Sequence, residues 1–83
     1  MTENEIGTII VNTAAGLHRQ LGPGLLESVY EAILAYELSA QGLQVQRQTA
    51  IQIVYKSMTF DEAFRADILV DAKVLIELKS VEP

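Results

Sequence analysis

An α+β domain is predicted for this 83-residue chain by three features: helical periodicity confined to the first half, alternation after Gly42, and turn signals between the alternating segments. The outline is two N-terminal helices followed by an antiparallel three-stranded meander. Such a length fits a single domain spanning 1–83, burying roughly 60–65% of its extended surface.

The first helix is expected from Glu5 to Leu21, capped by Asn4 or Thr2. Ile6, Ile9, Ile10, Thr13, Ala14, Leu17 and Leu21 recur at the spacing of one helical face. Gly22-Pro23-Gly24 ends it, because proline lacks an amide proton and fixes φ. Without a longer glycine-rich loop and a lysine, this stretch reads as a connector between helices rather than a phosphate cradle. The second helix is expected from Leu25 or Leu26 to Gln41, with Gly42 as its C-terminal cap. Leu26, Val29, Ile33, Tyr36 and Ala40 form one stripe, and Glu27, Tyr30, Leu34 and Glu37 a second. Tyr36 and Tyr55 read as core residues with a polar tip, and Glu31 and Glu37 as solvated positions.

Beyond Gly42, Leu43, Val45 and Arg47 begin an extended stretch, and Ala50 to Tyr55, with Ile51, Ile53 and Tyr55 set against Gln52, Val54 and Lys56, reads as a strand with one face buried. Lys56-Ser57-Met58 is a turn signal, and Asp61-Glu62 is placed in or beside the loop before a strand from Phe64 to Val70. Asp71-Ala72 then connects to a last strand, Lys73 to Lys79.

Composition narrows the function. The hydrophobic fraction is 49%, and no apolar run approaches the roughly 20 residues of a membrane span. An acidic N-terminus and the lack of cysteine point to the cytoplasm. Six Lys and Arg oppose eleven Asp and Glu, whereas a nucleic-acid binder makes roughly 6–10 phosphate contacts, so the isolated chain should bind DNA or RNA weakly. An acidic site holding a cation can still act on phosphodiesters, because the ion brings the positive charge.

Charge inside apolar strands marks the candidate site. Asp67 lies in one expected strand, and Glu77 and Lys79 in the next. Two carboxylates about 4 Å apart repel by roughly 1–4 kcal/mol near a protein surface and call for compensation. Mg²⁺ or Mn²⁺ would supply it through hard oxygen donors, leaving positions for water and a substrate phosphate. Lys79 would then orient or deprotonate a water, or stabilise charge on the phosphate. The competing explanation is a cross-strand acid–lysine pair that fixes register, worth about 0.2–1 kcal/mol. Spacing alone leaves both open. Glu27, in a first helical turn, has the equally ordinary role of favouring the helix dipole. Arg65 shares a face with Asp67 and reads as neutralising that carboxylate, or as holding a phosphate. His18, the only histidine, reads as a surface or packing residue, the other reading being a group near the site.

Gly24-Leu25-Leu26-Glu27-Ser28-Val29-Tyr30 resembles the motif that names the GxxExxY proteins, a group placed in the PD-(D/E)XK nuclease-like superfamily. Leu21 to Gly24, Gln48, Tyr55, Arg65-Ala66-Asp67 and Glu77-Leu78-Lys79 are similar to the rest of that pattern, so the resemblance spans essentially the whole chain. It implies a restriction-endonuclease-like core in which Asp67 and Glu77 are metal ligands, Lys79 is the catalytic lysine and Glu27 an accessory acid. Ala66 stands where the superfamily signature has proline. The family pattern also continues past the ExK strand with a further helix and strand, whereas this sequence stops at Pro83. The resemblance therefore implies a truncated core, with the Glu77 strand an unpaired edge that a second copy covers. Two functions follow as expectations: a Mg²⁺-dependent nuclease, or a non-catalytic module that uses the same scaffold for oligomerisation or partner binding.

Overall fold

The computed structural model describes residues 1–79 as two helices followed by a three-stranded antiparallel sheet, an α+β architecture. Helix α1 spans Glu3–Leu21 and α2 spans Glu27–Ala40; the strands are β1 (Val45–Tyr55), β2 (Met58–Val70) and β3 (Val74–Ile76), in the order β1-β2-β3.

Thr2 starts α1 through a reciprocal capping box: its Oγ1 accepts the Glu5 N–H at 3.2 Å, and its own N–H donates to Glu5 Oε1 at 2.8 Å. The bond from the Thr2 backbone, then that from its side chain, holds the Glu5 carboxyl below its ordinary value of 4.5. A carboxyl lowered on folding contributes stability above its unfolded value, so this part of the cap fades as pH falls below 4.5.

Helix α2 ends in a Schellman motif. Gly42 N–H donates to the Ser39 carbonyl at 3.0 Å and Leu43 N–H to the Leu38 carbonyl at 3.3 Å, while Gly42 takes φ 90°. The motif turns the chain so that Leu43 joins Leu38 in the core. Nothing crowds a Cβ at Gly42, so Gly42→Ala should cost only the left-handed backbone penalty, about 1 kcal/mol, read as a lower urea midpoint with unchanged slope.

The core is small and lies where the helices cross the base of the sheet. Ile6 and Leu17 of α1 meet Leu34, Ala35 and Leu38 of α2, Leu43, and Ile68 and Val70 of β2. The inward face of α2 is therefore Glu31, Leu34, Ala35 and Leu38. This corrects the expected stripe: Leu26 and Tyr36 are each 71% exposed, and Val29 is exposed too. Tyr55, at 56% exposed, is not a core residue either.

A long hairpin extends away from that core. At about 3.3 Å per residue, the 13 residues of β2 account for most of the 47 Å long axis. Asp61 and Glu62 lie inside β2 rather than in the expected loop, because the ladder runs to Tyr55↔Met58 and leaves only Lys56 and Ser57 to turn. The register shifts between Ile51 and Ile53, a bulge that adds twist. Every residue from 52 to 65 is exposed, including Val54, Phe60 and Phe64, so helix packing covers only the base of the hairpin.

Strand β3 is shorter than the expected Lys73–Lys79. It pairs with β2 through Ile68↔Ile76, Leu69↔Leu75 and Val70↔Val74 and stops there. The connection is Asp71-Ala72-Lys73, with Asp71 and Ala72 at positive φ. Asp71 Oδ1 accepts the Gln44 N–H at 2.8 Å and Asp71 N–H donates to the Gln44 carbonyl at 2.8 Å, tying this turn to the start of β1.

Candidate active site

The Asp67 carboxylate explains why β3 ends at Ile76. Its Oδ2 accepts the Leu78 N–H at 2.8 Å, so a side chain rather than a strand partner satisfies that amide. Glu77, Leu78 and Lys79 follow β3 without regular structure, and Asp67 grips the middle of the three. Asp67 itself is half-buried, between the buried Ala66 and Ile68.

The other Asp67 oxygen, Oδ1, accepts from Gln48 Nε2 at 3.3 Å. Gln48 lies in β1 between Arg47, which pairs with Ile68, and Thr49, which pairs with Ala66. Strand alternation would send the Arg47 and Gln48 side chains to opposite faces. Both reach Glu31 nevertheless: Arg47 Nε donates to Oε2 at 3.0 Å, and Gln48 Nε2 to Oε1 at 2.8 Å. The local break is a φ of 48° at Gln48, a left-handed conformation that non-glycine residues seldom adopt in a strand.

Glu31 is 6% exposed and is the one buried charged residue among those described. Its expected place as a solvated position is thus corrected. The physical reason is its register on α2, where it shares the inward face with Leu34, Ala35 and Leu38. The i, i+3, i+4, i+7 spacing of these four residues was the available signal. A carboxylate placed there persists because Arg47 and Gln48 occupy both of its oxygens.

Arg65 does not neutralise Asp67. Its Nη1 donates to the Gln48 carbonyl at 3.0 Å, and its Nη2 lies 3.9 Å from Glu62 Oε1. The guanidinium thus caps the backbone at the left-handed Gln48.

Glu77 and Lys79 lie at the mouth of an open cleft of about 810 Å³ between the C-terminal end of α1, the Gly22-Pro23-Gly24 turn, the start of α2 and the end of β3. Glu27, His18 and Tyr30 line the same cleft, over a floor made by Ile10, Ala14, Leu34, Ile76 and Leu78. The His18 ring stacks on Tyr30 with centroids 5.0 Å apart, and Tyr30 OH donates to the Ala14 carbonyl at 3.4 Å. Burial pushes the Tyr30 phenol up from 10.0, which keeps it neutral. The fold thus brings Glu27, Glu77 and Lys79 to one cleft, while Asp67 reaches that segment through the Leu78 amide.

Among the described residues no three His, Cys, Asp or Glu side chains converge as metal ligands. A hard-oxygen donor set here would be Glu77 together with Asp67, which is bonded to the neighbouring Leu78 N–H. It suits Mg²⁺ or Mn²⁺, which bind through one or two carboxylates and retain water in the other positions. Each Asp67 oxygen accepts one of these bonds, and a carboxylate oxygen carries a second lone-pair direction.

A helix-flanked three-stranded antiparallel sheet with an acid–x–lysine segment following its edge strand is consistent with a truncated nuclease-like fold. The chain belongs to the PD-(D/E)XK nuclease superfamily, whose family model matches residues 4–83. No curated protein and no solved structure matches the chain.

Proposed function

We propose that this chain is a divalent-metal-dependent phosphodiesterase acting on nucleic acid, a nuclease-like domain of the GxxExxY type. The observation that carries this reading is the Asp67–Leu78 bond, which joins the carboxylate of β2 to the backbone between Glu77 and Lys79 in a member of a nuclease superfamily. Asp67 and Glu77 hold Mg²⁺ or Mn²⁺, which supplies Lewis-acid stabilisation of the phosphate. Lys79 orients the attacking water and donates to the charged phosphoryl oxygens, with Glu27 as an accessory acid across the cleft. Arg65, whose side chain is 58% exposed beside Gln48, contributes a substrate phosphate contact with the donors it does not spend on the Gln48 carbonyl. A net charge of −5 makes substrate affinity low. The cysteine-free composition supports a cytoplasmic setting for this activity; among the described residues no helix is long and apolar enough to cross a membrane. The test is cleavage of labelled DNA and RNA with Mg²⁺ or Mn²⁺, comparing the parent with Lys79→Ala. Loss in the variant supports the reading, and equal traces in both remove it.

A second reading, a catalytically inactive module of the same fold serving oligomerisation or partner binding, is favoured by the exposed apolar surface. β3 is an edge strand, and Leu75 on it is exposed. An edge of this kind pairs readily with another strand, and we assign that partner to a second copy of the chain. Sedimentation should then show a dimer or larger assembly at high micromolar concentration, and a strictly monomeric chain would contradict self-association. The two readings separate cleanly, since assembly without metal-dependent cleavage supports only the second.

A further inference from the structure

Gln48 joins parts of the fold that would otherwise be independent of one another. Its Nε2 carries two hydrogens and donates to two carboxylates, Glu31 on α2 at 2.8 Å and Asp67 on β2 at 3.3 Å. Glu31 is buried and anchored on its other oxygen by Arg47. Asp67 passes the connection on to the Leu78 N–H, between Glu77 and Lys79. A continuous hydrogen-bonded strut therefore runs from α2 through β1 and β2 to the segment that follows β3.

Two features indicate that this strut serves the site and not the fold alone. The first is backbone conformation: Gln48 keeps φ at 48° inside a strand, where glycine would sit without strain. The side chain is thus retained at a conformational cost. The second is charge. A lysine or arginine in this position would neutralise Asp67 and compete with a cation, whereas a neutral amide fixes the carboxylate and leaves its charge available. The cationic member of the network, Arg47, is on Glu31 instead, at the far end.

We propose that Gln48 is a positioning residue that, backed by Glu31 and Arg47, fixes the Asp67 carboxylate and through it the Glu77–Lys79 segment. The proposal deepens the metal-site reading given above and rests on it for its metal-binding arm. Ligand-orienting partners of this kind are worth about 10–100-fold in metal affinity. A role confined to folding would change stability and leave affinity alone.

The test uses Gln48→Gly, which removes the side chain and relieves the backbone, with Gln48→Asn as the shorter amide that still accepts a left-handed conformation but spans the two acids poorly. Three quantities are read: the thermal midpoint, hydrogen exchange at the Leu78 amide in the metal-free chain, and Mn²⁺ affinity by calorimetry with the metal alone. The expected result is a midpoint lowered modestly in Gln48→Gly, since the lost Glu31 partner outweighs the relieved backbone, with faster exchange at Leu78 in both variants and Mn²⁺ affinity lowered about 10–100-fold. Unchanged exchange at Leu78, or an unchanged Mn²⁺ affinity in a parent that binds the ion, overturns the proposal. Should the parent take up no Mn²⁺, the metal-site reading fails, and exchange at Leu78 still decides whether the strut positions the segment. Gln48→Asn answers the same questions if Gln48→Gly does not fold.

Discussion

Asp67→Ala is expected to lower metal-dependent cleavage by at least about 100-fold, the lower end of what a positioned acid–base group alone contributes. The size follows from a double loss. Alanine removes a ligand carboxylate, and it also releases the Leu78 amide that holds Glu77 and Lys79 in register. Asp67→Asn divides the two effects, because its amide oxygen can still accept the Leu78 N–H while the negative charge is gone. If ligation dominates, asparagine behaves almost like alanine. If the backbone anchor dominates, it retains most of the activity. Measuring kcat/KM on a labelled oligonucleotide with Mg²⁺ separates these cases, and far-ultraviolet circular dichroism confirms that both variants fold.

The second large effect concerns stability. Leu38→Ala should cost about 2–5 kcal/mol, the range for deleting a fully buried leucine side chain. Leu38 is completely buried and packs in a core that includes Ile6, Leu34, Ile68 and Val70. Small domains have about 0.05–0.15 kcal/mol of stability per residue, so such a loss consumes a large share of the total. A fall in the thermal midpoint on the order of 10–30 °C is expected. Tyr36→Ala, at a 71% exposed position on the same helix, is the control and should stay within about 0.5 kcal/mol of the parent. A Leu38→Ala midpoint within a few degrees of the parent would show that α2 does not pack as described.

Parts of this fold are legible in the residues alone. Helix α1 and the break at Gly22-Pro23-Gly24 were legible because periodicity and turn chemistry agree there, and Gly42 because left-handed helix ends favour glycine. The face of α2 was not. Neither expected stripe is the one that packs: the buried face shares only Leu34 with them and includes an acid, Glu31, which hydropathy discounts. Its partners lie 16 and 17 residues away, beyond the reach of local spacing. The exposed hairpin misled for the opposite reason: alternating apolar residues from Ile51 to Tyr55 mark a strand but do not show whether anything covers it.

The candidate site was legible in identity more than in geometry. Asp67, Glu77 and Lys79 stand out as charges in apolar strands, and Glu27 as part of a recognisable motif. How the first three relate depends on an event that alternation does not describe, the capture of the Leu78 amide by Asp67 where β3 ends. Gln48 was visible only as one position of a family pattern. Its left-handed φ and its bonds to two carboxylates emerge when β1, β2 and α2 are assembled.

The nuclease reading of this domain turns on Asp67 and Glu77 sharing a cation. Calorimetric titration of Mn²⁺ into the parent and Asp67→Ala chains tests this most directly. One saturable equivalent in the parent, absent or weakened by about 10-fold or more in the variant, is the expected result. Equal heats in the two chains, or no uptake by the parent, would contradict it.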